Sequence, residues 1–230
     1  TGEKDDTFAE GNVKFTGKDS DANCGGGGQN SSINRDSKTI SLDVSSNVKD
    51  IEGEVVFVAH SVKSSDDTEG KVVVMDPSGK CIDVIDHDEL GADSGFGFNP
   101  YALTIKTIEG EDHLFVSGKR TSTNDKSHFY SKNLTTGDST SCNIENDSGR
   151  VFKETPSITV DDGNFLYAQY KGHVFKFKLK SKDANNLCPI TNRDENKDAG
   201  GEENSYYQKL SYDNSSCKDS TKKHCKAYHI

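Results

Sequence analysis

The chain has 230 residues, enough for one large β-domain or two small ones. Its net charge of −10 argues against a nucleic-acid-binding surface, which needs clustered Lys and Arg, and against docking on an anionic membrane. No apolar run approaches the roughly 20 residues of a membrane helix, so no membrane insertion is expected.

Residues 1–38 are polar and rich in glycine, which predicts a flexible N-terminal arm with a single strand at residues 12–16. The run of four glycines at 25–28 is not followed by the Lys-Ser/Thr pair of a phosphate-binding loop.

Residues 39–180 form the predicted core. Apolar and β-branched runs recur there between turn signals, and residues 39–44 alternate polar with apolar side chains, which is typical of a half-buried strand. Three similar groups of strands follow one another, with equivalent positions about 50–60 residues apart. The predicted strands are residues 39–44, 54–60, 71–76, 80–85, 101–108, 113–119, 128–134, 139–144, 157–160, 165–170 and 173–179.

Residues 181–230 are polar and carry three of the six cysteines. We expect loops and one or two strands there, packed on the core and anchored by disulfides. No convincing amphipathic helix occurs in the chain; the best short candidate lies at residues 205–212.

The six cysteines are widely spaced and contain no CxxC pair, which argues against a metal or redox motif and favours three disulfides in an oxidising compartment. Six reduced, buried thiols in a cytosolic protein are the alternative. Three bridges allow 15 pairings. The last two cysteines are close enough to staple a C-terminal loop, but the pairing stays open. The six are Cys24, Cys81, Cys142, Cys188, Cys217 and Cys225.

Four N-glycosylation sequons lie in polar stretches of the chain, where a glycan could sit without burying polar groups. They begin at Asn30, Asn133, Asn146 and Asn214. Together with the cysteines they predict a secreted, extracellular glycoprotein.

Residues 156–167 read Pro-Ser-Ile-Thr-Val-Asp-Asp-Gly-Asn-Phe-Leu-Tyr and are followed by Gly-His-Val-Phe-Lys-Phe at 172–177. This order resembles a blade of a β-propeller of the NHL type, and residues 98–118 and 72–80 resemble parts of further blades. The resemblance covers about residues 55–180. It implies an all-β fold of β-propeller-like meanders with long polar loops. Since 230 residues suffice for about four or five blades, a two-sheet β-sandwich is the alternative fold.

Two acidic loops place oxygen ligands at alternate positions before a glycine, the spacing that folds several oxygens around one calcium ion. Neither has the Glu at position 12 or the flanking helices of an EF-hand, and a solvated acidic loop is the alternative interpretation. The candidate ligands are Asp19, Asp21 and Asn23 in one loop and Asp194, Asn196 and Asp198 in the other.

An acidic cluster with one histidine follows the fourth predicted strand, at Asp83, Asp86, His87, Asp88, Glu89 and Asp93. Because consecutive strand residues point to opposite faces, these groups cannot all converge, and a charged exit loop is expected. No GxSxG, HxH or HExxH pattern occurs in the chain, and no catalytic residue is assigned.

The sequence therefore predicts a non-catalytic binding or extracellular assembly module. Long loops on a disulfide-stapled β-scaffold suit recognition of a protein or glycan partner, and assembly with copies of the chain is a further expectation. The alternative is a secreted, calcium-dependent, propeller-type hydrolase or lyase.

Overall fold

Every helix or strand assigned in the described part of the chain is a β-strand, which confirms the predicted all-β class. No helix in this part is long and apolar enough to cross a membrane. The computed structural model describes residues 38–61, 70–78, 80–86, 89–90, 98–120, 129–142, 157–170, 173–183, 186–189 and 207–210.

The first sheet is an antiparallel meander in which each strand pairs with the next one in the chain. Its strands are β1 (Lys38–Ser45), β2 (Val55–Ser61), β3 (Lys71–Met75) and β4 (Cys81–Ile85).

The second sheet repeats this plan in the order β5-β6-β7-β8. Its strands are β5 (Phe98–Ile108), β6 (Glu111–Arg120), β7 (Phe129–Asn133) and β8 (Ser139–Cys142).

A two-residue turn joins β5 to β6. Glu109 has φ 55° and Gly110 has φ 88°. A type I′ hairpin turn requires positive φ at both central residues, and it matches the twist of the flanking strands, so this turn fixes the register of the longest hairpin of the second sheet.

The third sheet has the path β9-β10-β11-β12, with an additional strand, β13, on β11. Its strands are β9 (Ile158–Val160), β10 (Phe165–Tyr170), β11 (His173–Asp183), β12 (Asn186–Pro189) and β13 (Tyr207–Leu210).

Two details differ from the sequence prediction. The helical candidate at residues 205–212 contains β13, because Tyr207–Leu210 gain backbone partners on β11 that periodicity within the segment does not reveal. The predicted boundary between residues 180 and 181 falls inside β11, and β12 continues the third sheet beyond it.

The three sheets pack face to face in chain order. A first apolar cluster fills the space between the first and second sheets, with Phe57, Val74, Leu114 and Tyr130 among its buried members. A second cluster lies between the second and third sheets. The second sheet is therefore covered on both faces, and its strands carry apolar side chains at consecutive positions. The second cluster is Ala102, Ile108, Phe115, Phe129, Cys142, Ile158, Val160, Leu166, Ala168, Phe175, Phe177 and Leu179.

The first two sheets are stacked with the same strand direction. The Ser41 hydroxyl of β1 donates to the Leu103 carbonyl at 2.9 Å, and Asp43 Oδ2, further along β1, accepts the backbone N–H of Ile105 at 2.7 Å. Strand β1 therefore runs parallel to β5. Lys106 lies near the end of β5 and forms an ion pair with Asp162 in the β9–β10 turn. That turn therefore lies at the end of the stack where β5 ends.

This stacking separates the connections into two sets. The β1–β2, β3–β4, β5–β6, β7–β8, β9–β10 and β11–β12 connections share what we call the turn end. The β2–β3, β4–β5, β6–β7, β8–β9 and β10–β11 connections share the opposite end, which we call the loop end.

A disulfide fastens the last strand of the second sheet to the third sheet. Cys142 of β8 is bonded to Cys188 of β12, with 5.5 Å between their Cα atoms and a sequence separation of 46. Closing a loop of that length stabilises a fold by about 4 kcal/mol in the chain-entropy treatment. It staples two sheets that also share an apolar cluster.

We expect Phe115→Ala to lower the free energy of unfolding by about 3–5 kcal/mol, because Phe115 is fully buried between the second and third sheets. Val44→Ala is the control, since Val44 is 46% exposed and should lose far less. Urea denaturation at constant pH measures both. Similar losses in the two variants would contradict the assigned stacking.

Candidate functional site

Four of the five connections at the loop end have at least eight residues, and the fifth, β10–β11, has two. Much of each connection lies outside the described residues, namely 62–69, 87–88, 91–97, 121–128, 143–156 and 171–172. Their sequences are rich in Ser, Thr, Asp, Asn and Gly. A rigid stack that displays several polar connections at one end is a typical arrangement for recognition.

The turn end is organised by one buried carboxylate. Asp112 is 7% exposed. Its Oδ2 accepts the hydroxyl of Ser45 on β1 at 2.5 Å, and its Oδ1 accepts the hydroxyl of Thr107 on β5 at 2.6 Å. The Asp112 backbone N–H donates to Thr135 Oγ1 at 3.1 Å. This one residue therefore joins the first sheet to two parts of the second.

Asn133 closes the β7–β8 turn beside Asp112. Its Oδ1 accepts the backbone N–H groups of Thr135 at 3.0 Å and Thr136 at 3.1 Å, and its Nδ2 donates to Glu111 Oε2 at 2.7 Å. The Lys49 backbone N–H donates to the carbonyl of the next residue, Leu134, at 2.7 Å. The polar groups of the turn end thus hold the sheets together, which gives them a structural role.

We expect Asp112→Ala to lower the free energy of unfolding by about 3 kcal/mol or more, because it leaves the Ser45 and Thr107 hydroxyls without their buried acceptor. Asp112→Asn keeps one acceptor oxygen and should lose less. Glu52→Ala, at an exposed position of the neighbouring β1–β2 turn, is the matched control. Urea denaturation compares the three, and equal stabilities for Asp112→Ala and Glu52→Ala would refute the role of Asp112.

The β9–β10 turn has a similar carboxylate at its start. Asp161 Oδ1 accepts the backbone N–H groups of Gly163 and Phe165, both at 2.9 Å, and its Oδ2 accepts the Tyr167 hydroxyl at 2.8 Å. Burial alone would raise the pKa of Asp161, but these hydrogen bonds outweigh burial and lower it. Asp161 is therefore a turn-forming anion and a weak base.

On the third sheet, the face that points away from the second sheet carries two aromatic rings with a cation over them. Lys176 Nζ lies 4.0 Å from the centroid of the Phe165 ring and 5.4 Å from that of Tyr167. Such contacts contribute about 0.5–1 kcal/mol at exposed sites. Phe175 and Phe177 of β11 are buried on the opposite face and belong to the core.

His113 is a buried titratable group between the second and third sheets. It is 4% exposed, it shares a strand face with Phe115, and its Nδ1 has no hydrogen-bond partner among the residues the structure describes. Burial lowers the pKa of His113, while the nearby carboxylates of Glu111, Asp112 and Glu109 act in the opposite direction. The folded protein therefore favours the neutral imidazole.

A lowered pKa in the folded state makes stability depend on pH. The contribution of His113 is fully present above its ordinary pKa of 6.5 and declines as the pH falls below that value, because the unfolded chain then binds the proton more readily. We expect His113→Phe to reduce the loss of unfolding free energy between pH 7 and 5. One proton limits the difference in slope to about 1.4 kcal/mol per pH unit.

Chemical denaturation of parent and variant at a series of pH values measures this difference, and the other histidines cancel in the comparison. Parallel pH profiles would contradict a preference for neutral His113.

The acidic segment after β4 forms an exit turn in its described part. Asp86 Oδ1 accepts the Glu89 backbone N–H at 3.1 Å, and Glu89 forms an ion pair with Lys132 at 4.0 Å. Burial raises the pKa of Glu89, and Asp83 and Asp86 add to that rise while Lys132 opposes it. Within the described residues, no group of three or more His, Cys, Asp or Glu could hold a metal ion.

The structure brings together two of the residues predicted to form a site, Cys142 and Cys188. Cys81 is also disulfide-bonded. Apart from Asn133, the remaining candidates lie outside the described residues. They are the proposed calcium ligands Asp19, Asp21, Asn23, Asp194, Asn196 and Asp198, the sequons Asn30, Asn146 and Asn214, and the cysteines Cys24, Cys217 and Cys225.

Asn133 is the one sequon asparagine within the described part, and it is 0% exposed. Because its Nδ2 is the atom that would carry a glycan and already donates to Glu111, the folded chain does not present it as an acceptor.

Sequence reasoning did not identify Asp112 or its partners. Asp112 follows a Glu-Gly turn in an acidic stretch of Glu-Gly-Glu-Asp, so composition makes it look solvated. The signal that could have found it is the length of the β5–β6 hairpin, which places Asp112 directly opposite Thr107 in the register.

No protein-family model, curated protein or solved structure matches the chain.

Proposed function

We propose that this chain is a secreted, disulfide-bonded glycoprotein that acts as a non-catalytic binding or extracellular assembly module on a β-propeller-like framework. The observation that carries the proposal is the common direction of the connections, since four polar connections of at least eight residues leave the stack at the loop end, whereas structural hydrogen bonds hold the turn end together.

The sheet topology supports the propeller-like part of the proposal. Propeller blades are four-stranded antiparallel meanders that pack face to face in chain order. Each of the three sheets has such a meander as its main path, and each neighbouring pair shares an apolar cluster. Closed rings use about 4–8 blades, so three sheets would form part of a ring.

The cysteines support the extracellular part. Cys142, Cys188 and Cys81 are all disulfide-bonded, and no described cysteine is free. Disulfides persist in oxidising compartments and are rare in the cytosol. They also compensate for a chain in which 30% of residues are hydrophobic.

The partner we propose is a protein or a glycan that contacts the loop end. The turn end offers little for this purpose, because Asp112 and Asn133 are buried and their polar atoms bind other parts of the chain. A recognition surface needs polar groups that are free to exchange water for a partner.

Native mass spectrometry of the protein secreted by eukaryotic cells tests the proposal. The unreduced chain should gain six hydrogens on reduction, matching its six cysteines, and should lose sugar mass on treatment with a glycosidase. Peptide mapping should find glycans among Asn30, Asn146 and Asn214 and none on Asn133, which is buried.

A bare chain with six free thiols would overturn the extracellular function. A glycan on Asn133 in the folded protein would instead contradict the hydrogen bond from Asn133 to Glu111. A multimeric mass would favour the assembly role over the binding role.

A further inference from the structure

One face of the first sheet is apolar and points away from the second sheet. The pairing of β1, β2 and β3 aligns Leu42 with Val58 and Val73 in one row, and a second row contains Val44, Val56 and Met75. Cys81 on β4 pairs with Met75 and packs against this cluster. We call these residues the outer face.

Burial across the outer face is uneven. Leu42 and Val44 on β1 are 63% and 46% exposed, whereas Val58 and Val73 in the middle of the sheet are 5% and 9% exposed. Outward side chains of an uncovered sheet stay partly exposed, so the central strands are covered. The apolar cluster here contains residues of the first sheet alone, among the residues the structure describes.

Cys81 marks the position of the cover. It lies at the β4 edge of the outer face, on the side away from exposed β1, and it is disulfide-bonded. Its partner is Cys24, Cys217 or Cys225, because Cys142 and Cys188 are bonded to each other.

Chain length favours Cys24. It lies fourteen positions before Lys38, the start of β1. An extended segment of that length spans up to about 46 Å. Lys38 lies at the loop end of the first sheet and Cys81 at its turn end, on the far edge strand. The diagonal between them is about 30 Å from standard strand spacings, so the segment would reach with slack.

The chain between β13 and Cys217 is too short for Cys217 to be a good partner for Cys81. Cys217 follows Leu210, the last residue of β13, by seven residues, which span at most about 25 Å. Strand β13 belongs to the third sheet, and two face-to-face sheet spacings already amount to about 20 Å. Little length remains for the path around the stack. Cys217 and Cys225, only eight positions apart, can bond to each other.

We propose that Cys81 is bonded to Cys24 and that the N-terminal segment, residues 1–37, covers the outer face of the first sheet. A segment running from Cys24 at the turn end to Lys38 at the loop end must cross the first sheet, and the inner face is filled by β5 and β6. The sequence before Cys24 contains Phe8, Val13 and Phe15, which would supply apolar side chains for such a cover.

The bond forms by oxidation of two thiols. Each sulfur loses one hydrogen, and the two electrons and two protons pass to a protein disulfide of the oxidising compartment through thiol–disulfide exchange. The inference therefore rests on the oxidised, secreted state of the proposed function.

Peptide mapping without reduction tests the bond directly. Trypsin cleaves after Lys and Arg and places the six cysteines on six different peptides. After removal of glycans, we expect residues 19–35 linked to residues 81–106, and residues 133–150 linked to residues 183–193. A link from residues 81–106 to residues 210–218 or 224–226 would overturn the proposal.

Hydrogen exchange tests the cover in the full chain. Removal of the proposed bond in Cys24→Ser/Cys81→Ser should speed amide exchange in β2 and β3 at least tenfold, with β6 as the internal reference. The matched control, Cys217→Ser/Cys225→Ser, should leave β2 and β3 unchanged. Equal exchange in the two variants would refute the covering role of residues 1–37.

The two proposals fail in different ways. If no peptide is linked, the oxidised state fails and the extracellular function fails with it. If the link between residues 133–150 and 183–193 is present but residues 81–106 pair elsewhere, the pairing is wrong and the proposed function stands.

Discussion

The burial of the second sheet on both faces is the constraint on which the rest of the structure depends. Leu114 and Val116 point into the cluster shared with the first sheet, while Phe115 between them points into the cluster shared with the third, and all three are 0% exposed. A strand with two buried faces must be apolar at successive positions. The first and third sheets each pack only one face against the second sheet.

Stacking of flat apolar faces does not by itself fix how sheets are oriented, because the hydrophobic effect is non-directional. The polar contacts supply the direction. Asp43 accepts a hydrogen bond from a backbone N–H of β5, and Asp112 accepts hydrogen bonds from hydroxyls of β1 and β5. The first two sheets therefore have a defined offset and strand direction. The Cys142–Cys188 bond joins the second sheet to the third. The ion pair between Lys106 and Asp162 places the β5–β6 and β9–β10 turns at the same end. The loop end is a consequence of this common orientation.

The same geometry relates the proposed function to the proposed cover. A stack of sheets must end on two outer faces, and the two faces differ in this chain. The third sheet presents Lys176 with its ring contacts, whereas the first presents valines and Met75. A polar outer face tolerates water, but an apolar one needs a cover. A covalent tether at Cys81 would keep such a cover in place and leave the loop end open for a partner.

Local patterns in the sequence determined the class and most strands of this protein. Alternation predicts β1, the apolar runs predict β2 and β3, and Asp-Asp-Gly-Asn predicts the β9–β10 turn. These features depend on backbone geometry and side-chain polarity within a few residues, which are properties that a single segment carries by itself.

Tertiary structure decided the features that depend on distant segments. Asp112 is read from sequence as a solvated acid, but its bond to Ser45 joins residues 67 positions apart. Asn133 matches a glycosylation motif, yet the β7–β8 turn buries its amide. Strand β13 exists because β11 offers it a free edge. The sequence thus determined which residues form strands, and only the folded chain decided which polar groups are buried, because burial depends on what packs on the other side.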